Sequence, residues 1–193
     1  MNIDKPLFYG NLICLASIDH EKDAEIETKW THEAAYMRMI SPGTVRPLAP
    51  TQIRKKYEAI EKQIENDKNM FYFTIRKLSD DRLIGFARIN RIEWSNGTGD
   101  IQLGIGNHED CRHGFGSEAL QLMLRYAFDE LNLHRLSALV PEYNGLALGF
   151  FKKAGFVEEV RRRQALNRDG RRWDFIHLGL LGSEYVSLQE AKK

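Results

Sequence analysis

Between a short alternating segment and a long amphipathic one lies Cys111-Arg112-His113-Gly114-Phe115-Gly116-Ser117-Glu118. The apolar spacing that follows, through Ala119, Leu122, Met123, Tyr126, Ala127 and Leu131, predicts a helix. The first backbone N–H groups of a helix have no internal acceptor, and the macrodipole adds partial positive charge at that end. Glycines at 114 and 116 let a ligand approach the backbone closely. Arg112 and His113 add side-chain donors. The residues from Arg112 to Ser117 therefore make a candidate anion site, suited to a phosphate or a pyrophosphate. A glycine pair before a helix is also what a tight turn requires. Other phosphate loops fit less well: no Gly-Lys-Ser/Thr follows, and the dinucleotide fingerprint needs a third glycine near the start of a βαβ domain.

Other groups that could do chemistry are scattered. The six histidines form no ligand spacing, so no metal site is expected. Arg161-Arg162-Arg163 with Arg168, Arg171 and Arg172 makes a basic hairpin, read as solvent-facing strand residues or as a contact for an acidic acceptor or partner. Cys14 and Cys111 form no CxxC pair, and Cys14 reads as a buried thiol.

The elements around the loop follow from hydrophobic period and turn signals. Asn11–Ala16 reads as a strand, Lys22 to Met39 as one or two short helices, and Ser41–Pro50 as an ordered loop with three of the five prolines. Thr51 is expected to cap a helix over 52–65. Met70–Ile75 and Leu83–Ile89 read as strands, as does Asp100–Gly106, whose alternation puts Ile101, Leu103 and Ile105 on one face and Asp100 and Gln102 on the other. After the long helix come a strand at Leu136–Val140, a helix at Asn144–Ala154, and a hairpin of 156–166 with 171–180 around Asn167-Arg168-Asp169-Gly170. This order predicts an α/β (α+β layered) fold in one domain over residues 1–193. The Lys192-Lys193 tail is expected to fray.

The chain has 193 residues and a formal charge of +1, from 28 basic and 27 acidic side chains. That length suffices for a hydrophobic core without staples. The balance argues against electrostatic capture of nucleic acid. No apolar run approaches the roughly 20 residues of a membrane helix, and Met1–Lys5 carries no leader signal. A cytoplasmic protein with neither nucleic-acid nor membrane partner is expected.

Gly114-Phe115-Gly116-Ser117-Glu118-Ala119-Leu120, then Leu133-His134-Arg135-Leu136, Asn144 and Lys152-Lys153-Ala154-Gly155-Phe156, resemble the GNAT N-acetyltransferase superfamily, most closely its RimJ/RimL-like branch. The resemblance runs from about Leu12 to Leu181. Gly114 and Gly116 match the last two fixed positions of the family loop Gln/Arg-x-x-Gly-x-Gly/Ala, while Cys111 departs from the first. The resemblance implies a mixed, mostly antiparallel twisted sheet of about seven strands flanked by helices and splayed between the fourth and fifth strands. It implies acetyl-CoA as co-substrate, with pantetheine against Ile105, Gly106 and Asn107, pyrophosphate at the amides of Arg112, His113, Gly114, Phe115, Gly116 and Ser117, and Asn144 on the pantetheine arm. It also implies a homodimer, with Trp30, His32, Glu33 and the Pro42–Pro50 loop forming an acceptor wall.

Acetyl transfer needs an amine without its extra proton, a stabilised carbonyl oxygen and an acceptable leaving thiolate. Many relatives place an acidic tyrosine four residues before the Gly-Phe pair; Phe151 stands there, beside the cofactor arm, so that acid is missing. Asp100, on the splaying strand near where relatives carry a glutamate, is the leading candidate base, with Glu109 second. His134 is read as structural, His113 as a phosphate donor and Glu118 as a structural carboxylate that suits the helix dipole. The expected reaction is transfer of acetyl from acetyl-CoA to a primary amine, on a protein N-terminus or a small molecule, by direct attack. The alternative is a non-catalytic acyl-CoA-binding or sensing module.

Overall fold

The computed structural model describes residues 6–191. The Lys192-Lys193 tail and the Met1–Lys5 start lie outside them. Seven strands form one sheet in the order β1-β2-β3-β4-β5-β7-β6. They are β1 (Ile13–Ala16), β2 (Phe71–Lys77), β3 (Leu83–Glu93), β4 (Thr98–Ile105), β5 (Arg135–Pro141), β6 (Val157–Arg168) and β7 (Arg171–Leu181). Helices are α1 (Lys22–Thr31), α2 (Ala34–Ile40), α3 (Pro50–Asp67), α4 (Phe115–Arg125), α5 (Gly145–Lys153) and α6 (Gly182–Glu190).

Period-two alternation divides the sheet between two packing layers. Ile75, Ala87, Ile89 and Ile101 are buried with Ala119, Leu120 and Met123 of α4 and with Phe151 of α5 in the larger core. On the opposite face Tyr72 and Phe86 pack with Ala24 of α1 and Ile53, Tyr57 and Ile60 of α3. The central strands are thus covered on both sides.

All neighbouring strands run antiparallel except β4 and β5. Those two are parallel and pair only at Thr98↔Arg135, Gly99↔Leu136 and Asp100↔Ser137. Beyond Asp100 they separate, as the resemblance implies. The rest of β4 stays bound to β3 through Ile105↔Gly85, and the rest of β5 to β7 through Pro141↔Phe175. Each strand therefore leaves one backbone edge facing the gap.

Three local features differ from the sequence expectation. Thr51 does not cap α3. The helix begins at Pro50, with Ala49 at the N-cap, because proline suits the first helical turn. Gln52 reaches back instead, its Oε1 accepting the Ala49 N–H at 2.9 Å. The long helix ends in a π-helical turn at Tyr126–Glu130. A terminal helix, α6, follows β7 directly and stacks Tyr185 on Phe128 with ring centroids 4.9 Å apart.

Candidate active site

The loop that leads into α4 is held from below by a chain of polar contacts. The Asp110 carboxylate, 6% exposed, takes both Arg82 Nη groups, at 2.6 and 2.9 Å. This guanidinium holds the Asp110 carboxyl below its ordinary range. Asn107 Nδ2 donates to the same carboxylate at 3.4 Å, and Asn107 Oδ1 accepts the Trp30 indole N–H at 3.0 Å. Trp30 in turn lies flat against Gly106: a Cβ there would meet three atoms of the indole at 2.0–2.5 Å. Gly106 is therefore required by packing.

Above this base the chain turns sharply. Arg112 and Gly114 both have positive φ, 65° and 89°. None of the backbone N–H groups of Arg112 through Ser117 donates to an acceptor among the described residues, and the first amide of the helix to do so is Glu118, to Gly114 O at 2.9 Å. A Cβ on Gly116 would lie 3.7 Å from Ile105 and 3.8 Å from Phe150. The loop, the end of β4 and Phe150 of α5 thus converge at the mouth of the gap. Lys77 Nζ sits 5.4 Å from the Phe115 ring centroid, and the His113 and Phe115 rings stack at 5.9 Å. Lys77 is a cation that no motif marks; only the pairing of β2 with its neighbours carries it here. Burial pushes the Cys111 thiol up, so it stays protonated, with Sγ against Asn107 O at 3.5 Å.

Glu118 is structural. Its carboxylate accepts the N–H groups of Asn11, Leu12 and Ile13 at 2.7, 2.8 and 2.9 Å. It ties the first turn of α4 to the edge strand.

Asn144 is the N-cap of α5: its Oδ1 accepts the Ala147 N–H at 3.1 Å, and its Nδ2 donates to Met39 O at 3.3 Å. Phe151 is 7% exposed and packs on Phe156 and Phe150, with ring centroids 5.1 and 5.3 Å away. Its ring is committed to the core, while Phe150 is the ring nearer Gly116.

On the other side of the sheet a cavity of about 450 Å³ opens between α2 and strands β2 to β4. Asp100 lines it, at the last paired position before the gap. A bulge in β3 between Asn90 and Glu93, with Arg91 at φ 52°, brings the Arg91 guanidinium onto the Asp100 carboxylate. Glu109 is not brought to this cavity; it is exposed in the 3-10 turn His108–Asp110. Asp100 and Glu109 are therefore not a pair.

The roof of the cavity is α2 and the loop after it. None of the α2 residues is fully buried, so packing alone does not hold it. Hydrogen bonds do. Gln102 Nε2 donates to Ile40 O at 2.6 Å, Tyr143 Oη to Arg38 O at 2.6 Å, and Arg168 Nη2 to the carbonyls of Pro42 and Gly43 at 2.6 and 2.7 Å. Gly104 permits the approach of α2, since a Cβ there would press on Ile40, Phe86 and Tyr36 at 3.1–3.3 Å. The basic hairpin is partly explained by this roof. Arg168 clasps the proline loop, and Arg161 pairs with Glu142 and Asp174. Arg162, Arg163, Arg171 and Arg172 face solvent.

Residues 13–157 match the family described as Acetyltransferase (GNAT) domain. The chain is 30% identical over 123 residues to an uncharacterized N-acetyltransferase p20 of Bacillus licheniformis, covering 64% of this chain and 67% of that one. It is 35% identical over 121 residues to a probable N-acetyltransferase, YjcK, of Bacillus subtilis (strain 168), covering 61% and 64%. The matched stretch thus spans about two thirds of each of these relatives. In fold it is similar to the crystal structure of a spermidine N-acetyltransferase from Vibrio cholerae in complex with CoA and spermine, with a TM-score of 0.78, 20% identity, and 92% of this chain and 99% of that chain covered.

Proposed function

Since the chain belongs to the GNAT acetyltransferase family, we propose that it transfers an acetyl group from acetyl-CoA to a primary amine held in the cavity beneath α2. The observation that carries this reading is the row of unpaired amides from Arg112 to Ser117. They lie next to the free edge of β4, and the cavity opens on the other side of that strand. One side of the sheet opening is built for an anion with a long thin arm, and the other for a small organic molecule.

The residues present fit acetyl-CoA. The amides of Arg112 to Ser117, with Arg112, His113 and Lys77 around them, are the donors for its pyrophosphate. The free edge of β4 near Ile105, Gly106 and Asn107 offers backbone groups to its pantetheine amides. Bound acetyl-CoA supplies the thioester. A backbone N–H on that edge, near Ile105, polarises the thioester oxygen. Asp100 faces the cavity at the apex of the gap and takes the amine proton, directly or through a water, with Arg91 orienting it. No tyrosine acid stands at Phe151, so the CoA thiolate leaves without one. This fits direct attack, because a thiolate is a tolerable leaving group.

The roofed cavity favours a small amine over a protein N-terminus, which would need an open groove. We also read residues 1–193 as one acetyltransferase domain of the RimJ/RimL-like kind, acting in the cytoplasm. A self-associated form agrees with one structural neighbour, a spermidine N-acetyltransferase from Vibrio cholerae described as dodecameric.

The test is amine-dependent release of CoA thiol from acetyl-CoA, read with a thiol reagent over a panel of primary amines. Release with at least one amine supports the proposal. Tight CoA binding with no release across the panel selects the non-catalytic acyl-CoA sensor instead. A folded protein that binds no CoA overturns both.

A further inference from the structure

The charges of the cavity do not balance. Glu27, 7% exposed, is matched by Lys56 and by the Tyr57 hydroxyl, the latter at 2.6 Å. Asp100 is matched by Arg91. Arg88 also lines the cavity, and among the described residues it has no carboxylate partner. Its guanidinium touches one acceptor, Gln102 Oε1, through Nε at 2.9 Å and Nη2 at 2.6 Å. That amide is held with its oxygen toward Arg88, because its nitrogen, Nε2, donates to Ile40 O at 2.6 Å. Nη1 makes no hydrogen bond among the described residues.

The position follows from strand register. Arg88 pairs across the sheet with Tyr72 on one side and Gln102 on the other. Asn90 and Asp100 form the next pair along the same face. Arg88 and Asp100 are therefore diagonal neighbours, roughly 7–8 Å apart at the backbone. The walls are aromatic: Tyr72 and Phe86 stack at 5.8 Å, and Tyr36 roofs them. The hydroxyls of Tyr36 and Tyr72 make no hydrogen bond among the described residues, and burial pushes both phenols up, so each stays a neutral donor. Burial also weakens the hold of Arg88 on its proton, though it remains a cation at any ordinary pH.

Arg88 is half-buried, and a cation partly withdrawn from water is stabilised by a counter-charge. Here a guanidinium fork and two phenol donors face a cavity with no free carboxylate near them. We infer that the acceptor carries its own anionic group, a carboxylate or a phosphate, which pairs with Arg88 while its amine reaches Asp100. This rests on the acetyltransferase reading above. It distinguishes the chain from an enzyme for polyamines, whose substrates bring only positive charge and would meet Arg88 as a like charge in a poorly solvated place. Planar bidentate recognition of a carboxylate or phosphate is what an arginine fork does best.

The experiment is initial-rate acetylation of matched amines by the intact protein at saturating acetyl-CoA. The panel has free amino acids, their uncharged carboxamides, phosphoethanolamine and spermidine, assayed with wild type, Arg88→Gln and Arg88→Lys. The expected result is kcat/KM about 10–100-fold higher for the anionic member of a pair than for its neutral match, carried mainly in KM. Arg88→Gln should collapse that ratio to near one, and Arg88→Lys should restore part of it. A merely structural arginine would change both members of a pair alike. Preference for amino acids identifies carboxylate as the anchor, and preference for phosphoethanolamine identifies phosphate. Spermidine or the neutral amides as the best substrates of wild type would overturn the inference and leave the acetyltransferase reading standing. Acetylation of no amine, with CoA bound, would overturn that reading and this inference with it.

Discussion

Gly116→Asp separates cofactor binding from folding more cleanly than any other change in the loop. Gly116 is the second residue of α4 and has an ordinary helical φ, unlike Gly114 at φ 89°. Its added Cβ would meet Ile105 and Phe150 at 3.7 and 3.8 Å, which is ordinary contact. Aspartate is a somewhat better helix former than glycine, by a few tenths of a kcal/mol. A negative charge in the first turn adds about 0.3–1 kcal/mol. The fold should therefore hold or gain slightly. Binding should not. A phosphate accepting the amides of this turn would place its oxygens about 3 Å from the nitrogens, and so roughly 4–6 Å from the new carboxylate. Each phosphate charge at that range costs about 1–4 kcal/mol between bulk-water and protein-surface dielectric. For the two charges of a pyrophosphate the sum is about 2–8 kcal/mol, or at least roughly 30-fold in Kd. Calorimetry with acetyl-CoA and a melting curve on the same sample give both quantities. Raising the salt from about 0.1 M to 1 M should recover part of the loss, because the screening length falls from about 10 Å to 3 Å. A well-folded Gly116→Asp protein whose Kd stays within about threefold of wild type would refute the placement of the pyrophosphate.

Other outcomes follow from the same structure. Gly106→Ala drives a methyl into the Trp30 ring and should destabilise by about 2–4 kcal/mol in chemical denaturation, with loss of the buried tryptophan fluorescence signal. Arg76→Leu strands the fully buried Asp23, which otherwise takes both oxygens to Arg76 Nη2 at 2.6 and 2.8 Å. A cost of about 3–5 kcal/mol is expected, largely recovered when Asp23→Leu is added. The Asp110 carboxyl is depressed by Arg82, so its stabilisation is present above the unfolded carboxylate value near 4 and is lost as pH falls through the lower folded value. Since the Arg82 side chain is 38% exposed, solvent screening limits this stabilisation to about 0.2–1 kcal/mol. Asp110→Asn should flatten that part of the acid limb in melting temperature against pH. Asp100→Asn should lower kcat by about 10²–10⁴-fold with acetyl-CoA affinity little changed. An unchanged kcat would eliminate Asp100 as the base.

Much of this protein can be read from local pattern. Alternation over Ile101, Leu103 and Ile105 assigns the two faces of β4 because the pleat has a fixed period of two. Glycines before an amphipathic stretch mark a turn into a helix whose first amides are unpaired, because that follows from helical bonding itself. The order of elements, with the sheet splaying between its fourth and fifth strands, follows from these signals and the family resemblance together. The acceptor side is different in kind. Arg91 reaches Asp100 only because β3 bulges beyond Asn90, and a bulge is a register fault between strands. Arg88 is one charged residue in a strand until Tyr72 and Gln102 are paired on either side of it. Arg168 clasps Pro42 and Gly43 across more than a hundred residues of chain. Asn144 looks like a free side chain until it is seen capping α5 and holding Met39. α6 carries little amphipathic pattern, and its place is set by Tyr185 stacking on Phe128. Residue spacing determines which groups share a face of one element, since backbone geometry is local. Which charges are left without partners is decided only when separate elements meet, because burial and pairing are properties of the packed whole.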